Sequence, residues 1–134
     1  MGRPSLILID THVWIWFHSA PERMSFATRN RLESEDRVAI SSISIYETMV
    51  AIEKGRITSG FQPEPLVRRW LKSASFIRFP VTEEIVIQSR ILKFQHADPF
   101  DRLIAGTAVH ENVPLVTADR NLLELNWLET IEAQ

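Results

Sequence analysis

The sequence predicts an α/β domain, with a central, mainly parallel sheet covered by helices on both faces in a three-layer α/β/α arrangement. Three observations predict it. Short apolar runs alternate with helical patterns along the chain, the signature of a parallel sheet with crossover helices. The first run, Leu6 to Ile9, is apolar without interruption, as suits a strand buried on both faces. Acidic residues follow these runs or head the helical patterns, at Asp10, Glu47, Asp98, Asp101 and Asp119. In an open parallel sheet, groups beyond the carboxyl ends of the strands gather along one edge, where ligands bind.

Leu6–Asp10 reads as the first strand. Thr11–His18 follows as a short helix, with Val13, Trp14 and Phe17 on one side. Ser25–Glu35 is a more polar helix and Arg37–Ser41 a strand. Ser44–Lys54 is a helix stopped by Gly55, a usual C-terminal residue. Two glycines and two prolines between Gly55 and Pro65 mark a loop. Glu64–Ser73 carries Leu66, Val67, Trp70 and Leu71 on an apolar stripe. Phe76–Val81 is a strand. Thr82–Lys93 is a helix capped by Thr82, with Glu83 and Glu84 in its acidic first turn. Pro99–Glu111 is a helix, Leu115–Thr117 a strand, Arg120–Leu125 a short helix and Glu129–Ile131 a last edge strand.

A length of 134 residues indicates one domain spanning 1–134, large enough to bury a core. Cysteine is absent, which excludes disulfides and thiolate metal sites and fits a cytoplasmic protein. The N-terminal apolar run is too short for a signal peptide or a membrane span, and no other stretch approaches spanning length. Formal net charge is −2. Setting aside the five acids named above leaves 15 basic against 12 acidic residues, so mild net acidity argues only weakly against a nucleic-acid substrate.

Each acid has an ordinary helix-start role. Ser44-x-x-Glu47 reads as a capping box. Asp98-Pro99-x-Asp101 reads as N-cap, first-turn proline and first-turn acid. Asp10 and Asp119 sit between a strand and a helix. Caps need not converge, however, and the parallel sheet brings these helix starts to one edge. Carboxylates crowded there without a lysine among them repel one another, and a divalent cation with oxygen ligands relieves that repulsion. No Ser-His pair sits in a nucleophile context, so phosphodiester cleavage here would use a metal-activated water.

Thr11, Ser42 and Ser44 lie beside the expected pocket, where they bond the acids or a phosphate, or cap helices; capping is favoured for Ser44. Arg102 and Arg120 each follow a proposed ligand and are candidate phosphate contacts, with structural pairing as the alternative. His12, His18, His96 and His110 lack paired metal spacing; His96, two residues before Asp98, is the one candidate for touching a substrate. Trp14, Trp16, Phe17 and Trp70 suit a core or an interface. One helix face can hardly bury Trp14, Trp16 and Phe17 together, so at least one meets another element or another chain. No dinucleotide, P-loop or GxSxG pattern occurs.

The segments LILIDTHVWIW, SSISIYETMVAIEKGRI and HADPFDRLIAGTAVHENVPLVTAD resemble the PIN-domain nucleases, most closely the VapC-type toxins of toxin–antitoxin pairs. DPFDRLIAGTA followed by LVTAD is the most specific part, and the strand ending in Asp-Thr-His is also informative. The resemblance implies a PIN-like fold and an Mg²⁺- or Mn²⁺-dependent endoribonuclease, dimeric and held inactive by a small antitoxin. Asp10, Glu47, Asp101 and Asp119 match the family's metal-binding, catalytic acids, and Asp98 belongs to the DPFDR variant as an accessory ligand or a cap. Thr11, Ser42 and Arg102 are candidate substrate contacts. One departure is Arg-Asn-Leu after Asp119, where many relatives carry an aromatic residue. Two other readings stay open: a phosphohydrolase or phosphotransfer domain using Asp10 as nucleophile, which lacks a second Asp because position 12 is His12, and an inactive PIN-like binding module, against which retention of all four acids argues.

Overall fold

The computed structural model describes residues 6–34, 37–95 and 98–134. In chain order the strands are β1 (Leu6–Ile9), β2 (Arg37–Ser41), β3 (Ile77–Phe79), β4 (Leu115–Thr117) and β5 (Thr130–Glu132). The helices are α1 (Thr11–Ser19), α2 (Phe26–Ser34), α3 (Ser42–Glu53), α4 (Pro63–Ser73), α5 (Glu83–Ile91), α6 (Pro99–Glu111) and α7 (Arg120–Leu123), with a 3-10 turn at Pro21–Arg23. The strands form one sheet in the order β3-β2-β1-β4-β5, and every pairing is parallel. The three-layer α/β/α expectation is therefore met.

The strand order reverses between β1 and β4. β1 is followed outward by β2 and β3 on one side, and the chain then returns to place β4 on the other. Such a switch point opens a crevice beyond the carboxyl ends of the two central strands. Asp10 follows β1 directly and Asp119 follows β4 by one residue.

Strand residues alternate between the two faces, as a period of two requires. Ile7, Ile9, Val38, Ile40 and Val116 point to one core with Val13, Trp14, Leu66, Val67 and Trp70. Leu8, Ala39 and Leu115 point to the other with Ile104, Ala105, Ala108 and Leu122. The first core lies under α1 and α4, the second under α6 and α7. Helices α5 and α6 approach closely at Gly106, where an added Cβ would meet Ser89 Cβ at 3.3 Å.

The structure corrects one helix start. Ser44 does not cap α3. Ser41, the last residue of β2, keeps extended backbone and its hydroxyl accepts from the Ile43 N–H at 3.1 Å. The helix begins at Ser42, so Ser44 lies inside it, fully buried, and the expected capping box with Glu47 does not form. The 3-10 turn at Pro21–Arg23 is an element that the sequence pattern did not suggest, and the other differences lie at element ends: β3 stops before Pro80, α5 ends at Ile91 and α7 at Leu123. Thr82, Asp98 and the Gly55 stop behave as expected.

Trp14 and Trp70 meet edge to face at 5.6 Å, and Phe17 packs on Phe76 at 5.2 Å. Trp14 is 1% and Trp16 9% exposed. The N-terminal aromatics thus find partners within the chain. The large apolar side chains that do reach solvent include Phe26, Tyr46, Val86, Ile87 and Ile91.

Candidate active site

Asp10, Glu47, Asp98, Asp101 and Asp119 line one cleft of about 530 Å³ at the carboxyl edge of the sheet. β1 delivers Asp10, the second turn of α3 delivers Glu47, the N-terminus of α6 delivers Asp98 and Asp101, and the turn after β4 delivers Asp119. The expected convergence of helix starts is what the fold produces.

Asp10 is the most tightly held. It is 3% exposed. Its Oδ1 accepts from the Thr11 N–H at 2.8 Å, and its Oδ2 accepts from the Thr117 hydroxyl at 2.7 Å. His12 stands beside it. The ring Nε2 accepts from the Ala118 N–H at 3.0 Å, so the ring proton of the neutral imidazole lies on Nδ1, which faces Asp10 Oδ2 at 3.5 Å.

Asp98 and Asp119 are each both cap and cleft residue. Asp98 Oδ1 accepts from the Phe100 N–H and Asp119 Oδ1 from the Asn121 N–H, both at 2.9 Å. Each cap uses one carboxylate oxygen, so capping and facing the cleft are compatible in one side chain.

The electrostatics record the crowding. Burial, then Asp10, Asp98, Asp119 and Glu47, push the Asp101 carboxyl up from 3.8 to about 8. Burial also raises Glu47; the Thr11 hydroxyl pulls it back, Asp10 and Asp98 raise it and Arg56 lowers it. Glu47 Oε1 is buried with no hydrogen-bond partner, an acceptor whose cost is relieved by a cation or water. The donor set is all oxygen, which suits a hard divalent ion. Among the described residues no three Asp, Glu or His side chains are already drawn close enough to hold a metal ion. Mg²⁺ commonly takes only one or two carboxylates and keeps several waters.

The structure separates the remaining candidates. Thr11 lines the cleft, and its hydroxyl donates to Ser44 Oγ at 2.8 Å. Ser42 faces elsewhere: its Oγ accepts from the Val81 N–H at 3.2 Å, tying α3 to the turn after β3. Arg102 is also not a cleft residue. Its guanidinium donates to the Ser89 and Phe94 carbonyls at 3.2 and 2.9 Å and lies over the Phe94 ring, clamping α6 to the end of α5. Arg120 pairs with Glu132 at 3.3 Å on the surface. His18 stacks on Trp70 at 4.9 Å, and burial lowers it from 6.5 to about 4. His110 is exposed. His96 lies outside the described residues.

Sequence reasoning missed three cleft residues, Arg23, Lys54 and Arg56, and the roles of Thr117 and of His12 beside Asp10. Lys54 carried a legible signal: it lies seven residues, two helical turns, after Glu47.

The family model of the PIN domain matches residues 7–128. The chain is 33% identical over 119 residues to Ribonuclease VapC22 of Mycobacterium tuberculosis, covering 87% of this chain and 88% of that protein. Its fold is similar to VapBC2 from Rickettsia felis bound to a promoter DNA fragment, with a TM-score of 0.73 at 17% identity over 96% of this chain and 99% of that one. It is also similar to VapBC-5 from Mycobacterium tuberculosis, with a TM-score of 0.67 at 20% identity over 97% and 100% of the two chains.

Proposed function

The chain belongs to the PIN-domain family, and from that premise we propose that it is a metal-dependent endoribonuclease toxin of the VapC type, acting as one domain on RNA in the cytoplasm. The observation that carries this reading is the convergence of Asp10, Glu47, Asp98, Asp101 and Asp119 on one cleft at the sheet's switch point. The 33% identity to a VapC ribonuclease supports it.

Asp10, Glu47, Asp101 and Asp119 would hold Mg²⁺ or Mn²⁺, with Asp98 as an accessory. When bound, such an ion supplies the acidity that activates a water nucleophile and the charge that offsets the scissile phosphate. The chain's own part is positioning. The Thr117 hydroxyl and the Thr11 N–H fix both oxygens of Asp10. Burial, then the four other carboxylates, raises the Asp101 carboxyl to about 8, so an ion held there would displace a proton from it. Thr11 remains at the cleft wall as a substrate contact; Ser42 and Arg102 serve the fold.

Two partners follow. A small antitoxin would insert an Arg or Lys among the carboxylates, where a guanidinium pairs bidentately. A second copy of the chain would cover the apolar face that α5 presents at Val86, Ile87 and Ile91, which are 46%, 52% and 73% exposed. No helix among the described residues is long and apolar enough to cross a membrane. The deciding experiment is cleavage of labelled RNA by purified protein with Mg²⁺ or Mn²⁺, set against the Asp10→Asn and Asp101→Asn variants. Equal cleavage by all three proteins would refute the assignment.

A further inference from the structure

We propose that Arg56, with Lys54 and Arg23, forms a phosphate-binding wall of the cleft that seats a backbone phosphate flanking the scissile one in the bound RNA strand. This rests on the endoribonuclease reading and extends it to residues beyond the acids.

The cleft is divided by charge. Its acids lie at the helix starts and strand ends, while Arg23, Lys54 and Arg56 line the same cavity. A polyanion entering an all-acidic cleft would be repelled before any metal contact formed, and a basic wall removes that barrier. Lys54 stands two helical turns beyond Glu47, about 10 Å along the α3 axis. A strand whose scissile phosphate sits at the acids therefore presents a neighbouring phosphate to this wall.

The wall is built by the backbone. Gly55 has φ +74°. The Arg56 N–H donates to the Ala51 carbonyl at 2.9 Å and the Gly55 N–H to the Ile52 carbonyl at 3.0 Å. This is a Schellman turn, which needs a left-handed residue at the glycine position. It folds Arg56 back beside the end of α3, where it lines the cleft with Lys54. Arg23 is held separately, its guanidinium 5.0 Å over the Trp16 ring, and Trp16 in turn contacts His12 at 4.9 Å.

These three cations lack the close partners that Arg68, Arg102 and Arg120 have, and Arg56 is near enough to the acids to lower the Glu47 carboxyl. Among the described residues, no acidic side chain forms an ion pair with Arg23, Lys54 or Arg56. Arg68 pairs with Glu64 at 2.9 Å and Arg120 with Glu132, and Arg102 is occupied by two carbonyls. Arg56 is exposed, so its side chain can be shortened without disturbing the core.

The test is steady-state cleavage of an unstructured oligoribonucleotide at saturating Mn²⁺ across a KCl series. Arg56→Gln should raise KM about tenfold, as expected for one lost charge-assisted contact. It should also reduce the salt slope of log KM by about 0.7, the share of one phosphate contact to a single strand. Lys54→Gln/Arg56→Gln together should remove about twice that slope, and Arg56→Lys should restore most of it. Arg68→Gln, an equal charge removed from α4, should leave slope and KM at the wild-type values. A slope indifferent to Arg56 in an enzyme that cleaves overturns the wall and leaves the nuclease reading standing. So does an Arg68→Gln effect as large as that of Arg56→Gln, since net charge alone would then explain the result. A wild-type protein that neither binds nor cleaves the oligonucleotide overturns both.

Discussion

The Thr117 hydroxyl donates to Asp10 Oδ2 at 2.7 Å while accepting from the Asp119 N–H at 3.0 Å. One side chain on β4 thus aims the acid at the end of β1 and anchors the backbone of a second acid. A threonine inside a strand reads from sequence as a β-branched filler. Here it is fully buried and orients a proposed ligand, the kind of support on which metal sites depend.

Thr117→Val should therefore lower Mn²⁺ affinity and cleavage by roughly 10- to 100-fold, with about 1–3 kcal/mol lost in stability from unpaired buried groups. Thr117→Ser should retain most of both. Mn²⁺ titration and thermal melting measure the two effects separately. Unchanged metal affinity in the valine variant would mean that the hydroxyl serves folding alone.

Asp10→Asn and Asp101→Asn should abolish RNA cleavage, the second with little unfolding and the first at a cost of about 1–3 kcal/mol, because an amide leaves one acceptor for the two donors that Asp10 satisfies. Asn accepts a cap hydrogen bond about as well as Asp, so the α1 start should change by less than roughly 1 kcal/mol. A proposed metal ligand, by contrast, loses its charge. Circular dichroism and a cleavage assay on the same samples separate these outcomes.

The metal-free protein should lose stability as pH rises from 6.5 to 8. Asp101 is raised from 3.8 to about 8, so between those values the folded chain holds a proton that the unfolded chain has released. Stability is full below 3.8 and is lost as pH climbs through the folded value. His18, lowered from 6.5 to about 4, acts in the opposite sense, but its contribution is already complete above 6.5. In EDTA, the melting temperature should fall over this window for the wild type and fall less for Asp101→Asn. Adding Mn²⁺ at pH 8 should raise it. A flat wild-type profile would show that the carboxylates are not electrostatically crowded in solution.

Cleavage should require Mg²⁺ or Mn²⁺ and stop in EDTA, because the donors are all oxygen. Ca²⁺ should bind yet support less turnover, since its coordination is larger and less rigid. Undiminished cleavage in EDTA by protein free of contaminating nuclease would count decisively against the mechanism.

Ile87→Asp/Ile91→Asp should shift a dimer toward monomer, since a charged pair on the α5 face cannot be buried without compensation. Ultracentrifugation over a concentration series reads the change. A wild type that stays monomeric at high micromolar concentration would remove α5 as a self-association surface.

Local patterns in the sequence determined the elements and the identity of the acids. Leu6 to Ile9 could only be a doubly buried strand, Asp98-Pro99 could hardly be other than a helix start, and Gly55 had to end a helix. These signals act over a few residues, so they are legible without the fold. Ser41 displaced Ser44 as the α3 cap because the end of β2 is set by pairing with β1 and β3, which no local pattern contains. Likewise Arg102 and Ser42 were drawn away from the cleft by carbonyls and an amide that neighbouring elements supply. The tertiary structure alone decided that β4 lies beside β1, and that adjacency brings Thr117 and Ala118 to Asp10 and His12. Hydrogen bonds between residues more than a hundred positions apart depend on strand order, and strand order is a property of the whole packed sheet.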